Sequence, residues 1–419
     1  MRYCLTFSLA VLLAATFVVV VIYRDSGGSD PGEPPVATSL PIGSLGWATT
    51  RSPTVAVSES GVIYVIWSGK GQQKAPQPAT VPMIPDELSF SVHQPEWSAV
   101  PGVNVYRKGN WSEAGLLVEG PKDCAPLWSW CEGEKLHLLV VSESANKCNH
   151  LVLDPTANRW TRQAELPFAP SQYSSWRQCG QEVHLACVDG EHVHYLRYDG
   201  KSWNKPVKIE HSENKTSGVT RVRMAVDRQG GAHVAWWTAH PEPGIHGYAV
   251  IREGQVNAEP LKFDQAAIHE DNFDLGIDLE GRLLLAYKAD LPKDDRESLK
   301  VHIRRRDGKG WTNPETIGGE GEVLFGDIVV VWCEGRTLVS WLSREKYSTG
   351  GFVTVKAVRR FSVHDGKSWT SSRRCAWESG LVGGHDLMGA IRPGVCIDKD
   401  GRVHLAWGSS HCVVTQLKR

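Results

Sequence analysis

The chain has 419 residues, with 46 Lys and Arg against 47 Asp and Glu and a formal net charge of −1. So even a balance gives no electrostatic footprint for nucleic acid and excludes that class of partner. Hydrophobic residues make up 41% and charged residues 22%, which excludes a disordered chain and supports a packed core.

In chain order, the first predicted element is a membrane segment over residues 1–23. Leu5–Ile22 is an uncharged, mostly apolar run between Arg2 and Arg24. In a helix at about 1.5 Å per residue it spans about 27 Å, close to a bilayer core. The run ends Phe17-Val18-Val19-Val20-Val21-Ile22, without the small-residue cleavage site of a secretory signal peptide. An uncleaved signal-anchor is expected, with the rest of the chain outside the cytoplasm, periplasmic or at the cell surface. Residues 24–41, rich in Gly, Pro and Ser, read as a flexible linker.

Residues 42–419 carry a strand pattern that repeats. Seven short apolar strands each follow a turn: Gly61–Trp67, Lys135–Val141, Glu182–Cys187, Gly231–Trp236, Gly281–Tyr287, Arg336–Trp341 and Gly401–Trp407. A second series begins at Trp47, Trp111, Trp160, Trp203, Val256, Trp311 and Trp369, in steps of 64, 49, 43, 53, 55 and 58 residues. Several short strands in a period of that length are the mark of a radial β repeat. The clearest unit is Val219–Phe263. It reads as an inner strand Arg221–Asp227, a turn at Asp227-Arg228-Gln229-Gly230, and further strands Gly231–Trp237, His246–Arg252 and Val256 to about Leu261. Asp199-Gly200-Lys201-Ser202-Trp203, Asp307-Gly308-Lys309-Gly310-Trp311 and Asp365-Gly366-Lys367-Ser368-Trp369 are one hairpin written three times. Asp-Gly supplies the positive φ of a tight turn, and the Trp that follows can bury a large area between neighbouring units.

The expected fold is all-β: a seven-bladed β-propeller of four-stranded antiparallel blades, preceded by one transmembrane helix. The last unit has three strands and no Trp-started fourth, so Leu45–Thr50 is expected to supply its outer strand and close the ring. Closure removes the exposed sheet edges. The ten Cys fit an exported chain and leave disulfide pairing open. None of them has zinc spacing, so no metal and no cofactor are expected.

Candidate site residues follow from propeller geometry. Loops joining second to third strands share one face with the loops between blades. That face carries the long excursions Ser68–Pro101, Ala239–Ile245, Asp290–Ser298, Ser343–Gly351 and Ser379–Ala390, and long loops on a rigid scaffold are where binding usually sits. His137, His184, His233 and His404 occupy one equivalent strand position and read as structural. His240, His246, His269, His385 and His411 fall in or beside the long-loop face. Arg51, Arg221 and Arg392 each head an inner strand, where guanidinium groups facing one mouth would suit a carboxylate or sulfate. The ligand-binding candidates are therefore Arg51, Arg221, His240, His269, Arg392 and His411. The catalytic candidates are His246, Tyr248, Asp271 and His385, with His246 and Tyr248, or His385 and His411, as base and acid. Glu270, Asp274 and Asp386 are acidic neighbours, and Tyr173 is a further phenol.

The Asp-Gly-x-x-Trp hairpins and the Asp-x-x-Gly turns resemble the sialidase-like, BNR-repeat propeller superfamily, whose box has one residue more between Asp and Trp. Arg51-Ser52-Pro53 stands where sialidases carry Arg-Ile-Pro. The chain also resembles, in blade number, the polysaccharide lyases of the ulvan-lyase type, which use His, Tyr and Arg beside a uronate; Ala390-Ile391-Arg392-Pro393 stands at their His-Asn-x-Pro lead. These resemblances imply a carbohydrate-active propeller. The expected function is a membrane-tethered module that binds a glycan, acidic in kind, or a protein partner on its long-loop face. The alternatives are a sialidase-like hydrolase or polysaccharide lyase acting on an acidic carbohydrate, and a scaffold without a ligand of its own.

Overall fold

The computed structural model describes strands and turns between residues 38 and 417. Residues 1–37, 42–52, 71–98, 117–123, 210–218, 239–243, 261–267, 290–299, 378–393 and 408–412, with some shorter stretches, lie outside the described residues. Residues 36–419 form one compact unit.

The described strands are all antiparallel meanders in seven sheets. Sheet 4 shows the design: Val219–Val226, Ala232–Thr238, Gly244–Arg252 and Gln255–Pro260 pair in sequence order. Sheets 1, 2, 3, 5, 6 and 7 begin, in that order, with Thr54–Val57, Cys124–Glu132, Ser175–Cys179, Ile268–Ile277, Val323–Cys333 and Gly394–Ile397. Each expected second strand is present within a few residues of its sequence position.

The turns form for the reason their sequence suggests. Oδ1 of Asp199 accepts the amides of Lys201 and Ser202 at 2.9 and 2.8 Å, and Oδ1 of Asp365 accepts those of Lys367 and Ser368 at 2.8 and 3.0 Å. Gly200 and Gly366 take φ of +90° and +97°. The Trp after each turn bridges back across the hairpin, Trp203 to Tyr198 and Trp369 to His364.

Those tryptophans then leave their own sheet and pack on the preceding one. Trp160 joins the core between sheets 1 and 2, Trp203 that between 2 and 3, Trp311 that between 4 and 5, and Trp369 that between 5 and 6. Strand alternation sends neighbouring residues to opposite faces. Trp236 accordingly packs toward sheet 3, and Trp237 toward sheet 5. Burying one such ring contributes roughly 3 kcal/mol or more.

Three expectations are corrected. The outer strand of sheet 7 is Thr38–Pro41, which pairs with Val413–Gln416; Leu45–Thr50 lie outside the described residues. The sequence ends the linker at residue 41, whereas this strand already begins at Thr38. Ser343–Gly351 is not a loop, because Arg336–Thr349 pairs with Phe352–His364 down to Thr349 opposite Phe352. The missed signal is Gly350-Gly351 between β-branched runs, a two-residue hairpin turn. No helix among the described residues is long and apolar enough to cross a membrane, and Leu5–Ile22 lies outside them.

Candidate functional site

Three of the first strands, those of sheets 4, 5 and 7, end in a turn built on one aspartate. Oδ1 of Asp227 accepts the amides of Gln229 and Gly231, both at 2.8 Å; Asp278 and Asp398 do the same in their own turns. The other oxygen of two of these carboxylates holds a histidine on the adjoining strand: His233 Nε2 lies 3.1 Å from Asp227, and His404 Nε2 lies 2.9 Å from Asp398. His233 is bonded in turn to the Tyr248 hydroxyl, and His184 to that of Tyr195 at 2.7 Å. The four equivalent histidines are therefore structural.

Tyr248 is 1% exposed, sits in the core between sheets 4 and 5, and has the Arg306 guanidinium 4.6 Å from its ring centroid. Its hydroxyl is bonded to His233 and to Arg306.

Burial sets the charge of these histidines. It holds His184 down to about 4 from the ordinary 6.5, and His137 likewise to about 4. His150, buried against His137 with Nε2 3.0 Å from His137 Nδ1, falls to about 3. All three are neutral in the fold, whereas the unfolded chain protonates near 6.5. Stability from this source is complete above pH 6.5 and is lost as pH falls from 6.5 toward 4. For His184 alone the loss is on the order of 3 kcal/mol. Urea midpoints at pH 7 and pH 4.5 check this: the midpoint drops at the lower pH, and His184→Gln flattens the drop.

The first strands of the seven sheets meet along one channel. At the turn end lies a chamber of about 750 Å³, lined by residues from the first strand of every one of the seven sheets. Farther from the turns, charged side chains cross the channel. Arg177 on sheet 3 places Nη2 3.0 Å from both carboxylate oxygens of Asp274 on sheet 5, passing over sheet 4. Asp274, fully buried, also accepts the Val330 amide of sheet 6 at 2.8 Å. Arg223 donates to the Phe273 carbonyl at 3.1 Å and to Asp327 at 3.2 Å. Arg221 reaches the same Asp327 oxygen at 3.6 Å. This belt ties sheets 3, 4, 5 and 6 together, and its Arg177 reaches the chamber.

On the far side of the belt Arg221 heads the first strand of sheet 4. Its guanidinium carbon lies 5.1 Å from the ring centroid of Tyr173, and the Val222 amide donates to the Tyr173 carbonyl at 3.1 Å. The Tyr173 ring is 40% exposed. The structure therefore brings together two sequence candidates, Arg221 and Tyr173, and adds Asp327, Arg223 and Arg177, which the sequence did not single out. Charged residues within or next to short apolar stretches were the available signal. Arg51, His240, His385, Arg392 and His411 lie outside the described residues. His246 lies in the third strand of sheet 4, and His269 and Asp271 lie in the first strand of sheet 5; the side chains of these three are outside the described part.

No protein-family model matches the chain, and no curated protein matches it. Solved structures do. An ulvan lyase, a polysaccharide lyase bound to -[GlcA(1-4)Rha3S]-, covers 90% of this chain and 96% of its own at 12% identity and a TM-score of 0.52. The fold is a β-propeller. The β-propeller domain of the Trilobed protease from Pyrococcus furiosus covers 90% and 95% at 11% identity, with a TM-score of 0.45. An α-L-arabinanase from Penicillium chrysogenum, complexed with arabinobiose, covers 73% and 94% at 10% identity, with a TM-score of 0.42. At such identities the likeness concerns the propeller scaffold, since one fold hosts many functions. Within that scaffold the belt divides the channel into a turn-side chamber and a mouth marked by Tyr173 and Arg221.

Proposed function

We propose that this propeller holds an acidic saccharide over the channel mouth on its long-loop face, with the Tyr173 ring as platform and Arg221 beneath it. The observation that carries this is the exposed Tyr173 ring fixed over a guanidinium. An exposed aromatic on a rigid scaffold offers a large contact area at low entropic cost. Saccharide ligands in the ulvan lyase and arabinanase structures are in keeping with it.

The seven sheets are proposed to be the blades of one closed ring. Pairing of Thr38–Pro41 with the last strand supports this, as does the approach of Gly394 in sheet 7 to Pro53 and Thr54 in and before sheet 1. Leu5–Ile22 would tether the ring outside the cytoplasm. Alkali extraction of membranes tests the tether: release of the full chain into the soluble fraction rejects it.

Affinity electrophoresis of the full chain against acidic polysaccharides tests the site. Tyr173→Ala is expected to weaken retention about tenfold; no retention of the wild-type chain, or unchanged retention in Tyr173→Ala, rejects the proposal. The lyase reading rests on the same pair, a phenol beside a guanidinium. A new ultraviolet absorbance from an unsaturated uronate, lost in Tyr173→Phe, would make the protein an enzyme.

A further inference from the structure

Among the described residues, three large apolar side chains stand exposed: Tyr173 at 40%, Trp332 at 36% and Ile397 at 42%. Tyr173 belongs to the mouth already described. Trp332 and Ile397 lie on the opposite face, on sheets 6 and 7, and both line the turn-side chamber. A single exposed apolar residue is ordinary, but two converging on one cavity mouth are a surface that something covers.

The interior selects the ligand. The chamber measures about 750 Å³, within the range of small-molecule sites. Its walls include Val226, Ile277, Val329, Val331 and Val395. The charged groups that reach the interior already have partners within the protein. Asp227 is met by His233 and Arg252, Asp398 by His404 and Arg402, and Arg177 by Asp274. Of the remaining charges, Glu59, Arg228 and Lys399 are exposed at the rim, and Glu132 is half-buried with His137 3.4 Å away. An anion drawn inside would lose its water and gain no free opposite charge, at a cost of several kcal/mol. A neutral apolar body loses nothing comparable and gains the walls. At the rim the Arg228 guanidinium lies 5.1 Å from the Trp332 ring centroid and donates to the Leu279 carbonyl at 2.8 Å. Both contacts hold the indole at the entrance.

We propose that the turn-side chamber is a second binding site, separate from the saccharide face, for a small uncharged molecule with an aromatic or branched aliphatic body. Neither Tyr173 nor Arg221 lines the chamber, so one site can fill without the other.

Titration of the full chain with the neutral fluorophore 1-aminoanthracene tests this. A saturable one-to-one rise in fluorescence is expected. Trp332→Ala and Ile397→Asp, both at exposed positions, are each expected to raise the Kd about tenfold with an unchanged far-ultraviolet circular dichroism spectrum. Tyr173→Ala leaves this Kd unchanged whether or not it affects saccharide retention, so failure of one site is distinguishable from failure of the other. The anionic analogue 1-anilinonaphthalene-8-sulfonate binds at least tenfold more weakly. Absence of saturable binding overturns the proposal, as does a Kd indifferent to both rim variants. Tighter binding of the sulfonate overturns the uncharged class.

Discussion

Asp274→Ala is expected to lower the unfolding free energy by about 3–5 kcal/mol, the usual cost of removing one partner of a buried ion pair. The carboxylate is fully buried, receives Arg177 at 3.0 Å and accepts the Val330 amide at 2.8 Å. Its removal leaves a guanidinium and a backbone amide in a site that water does not easily reach. Asp274→Asn keeps an acceptor and costs less. The double variant Arg177→Met with Asp274→Leu recovers part of the loss, because apolar side chains of similar volume need no desolvated charge. Urea unfolding, read as a midpoint shift at constant slope, decides the matter. A single variant within 1 kcal/mol of wild type would show that the belt is not a structural tie.

Gly394→Ala is expected to be nearly as harmful, by about 3 kcal/mol, at the upper end for overpacking. A Cβ there would stand 2.6 Å from the Pro53 carbonyl oxygen, 2.8 Å from Thr54 Cα and 3.0 Å from the Val55 amide. All three are backbone atoms and cannot rotate aside, so sheets 7 and 1 must part. Gly276→Ala is the comparison: its Cβ would meet the Val330 side chain, Cγ1 at 2.2 Å, and a side chain can shift more readily than backbone. A larger loss of thermal stability at Gly394 than at Gly276 supports ring closure between the first and last sheets. An unchanged Tm in Gly394→Ala removes that support.

The two faces of the propeller were not equally legible from sequence. The turn side is made of local motifs: an Asp whose oxygen accepts amides two and four residues on, a glycine at positive φ, and a histidine six residues after the Asp. Such motifs repeat with the blade, so the equivalent histidines could be assigned a structural role before any contact was known. The burial of Tyr248 was not legible, because its partner His233 lies on the neighbouring strand and a strand period alone does not say which phenol is sealed inside an interface.

The belt was harder still. Arg177 and Asp274 stand 97 positions apart, and Arg223 and Asp327 stand 104 apart. Each pair skips a sheet and meets only because the first strands converge on one axis. A charged residue in an apolar strand raises the question of a partner, but nothing within one repeat names it. The same convergence makes the chamber, since no single blade encloses a volume.

Strand order, the Asp-Gly hairpins, the interface tryptophans and the near-neutral charge are therefore properties of the chain itself, because each depends on neighbours within a few residues or on composition. The outer strand at Thr38–Pro41, the seating of Tyr173 over Arg221 and the division of the channel belong to the tertiary structure. They arise where segments distant in sequence are brought within a few ångströms, and burial there turns an ordinary arginine or aspartate into a strongly coupled one.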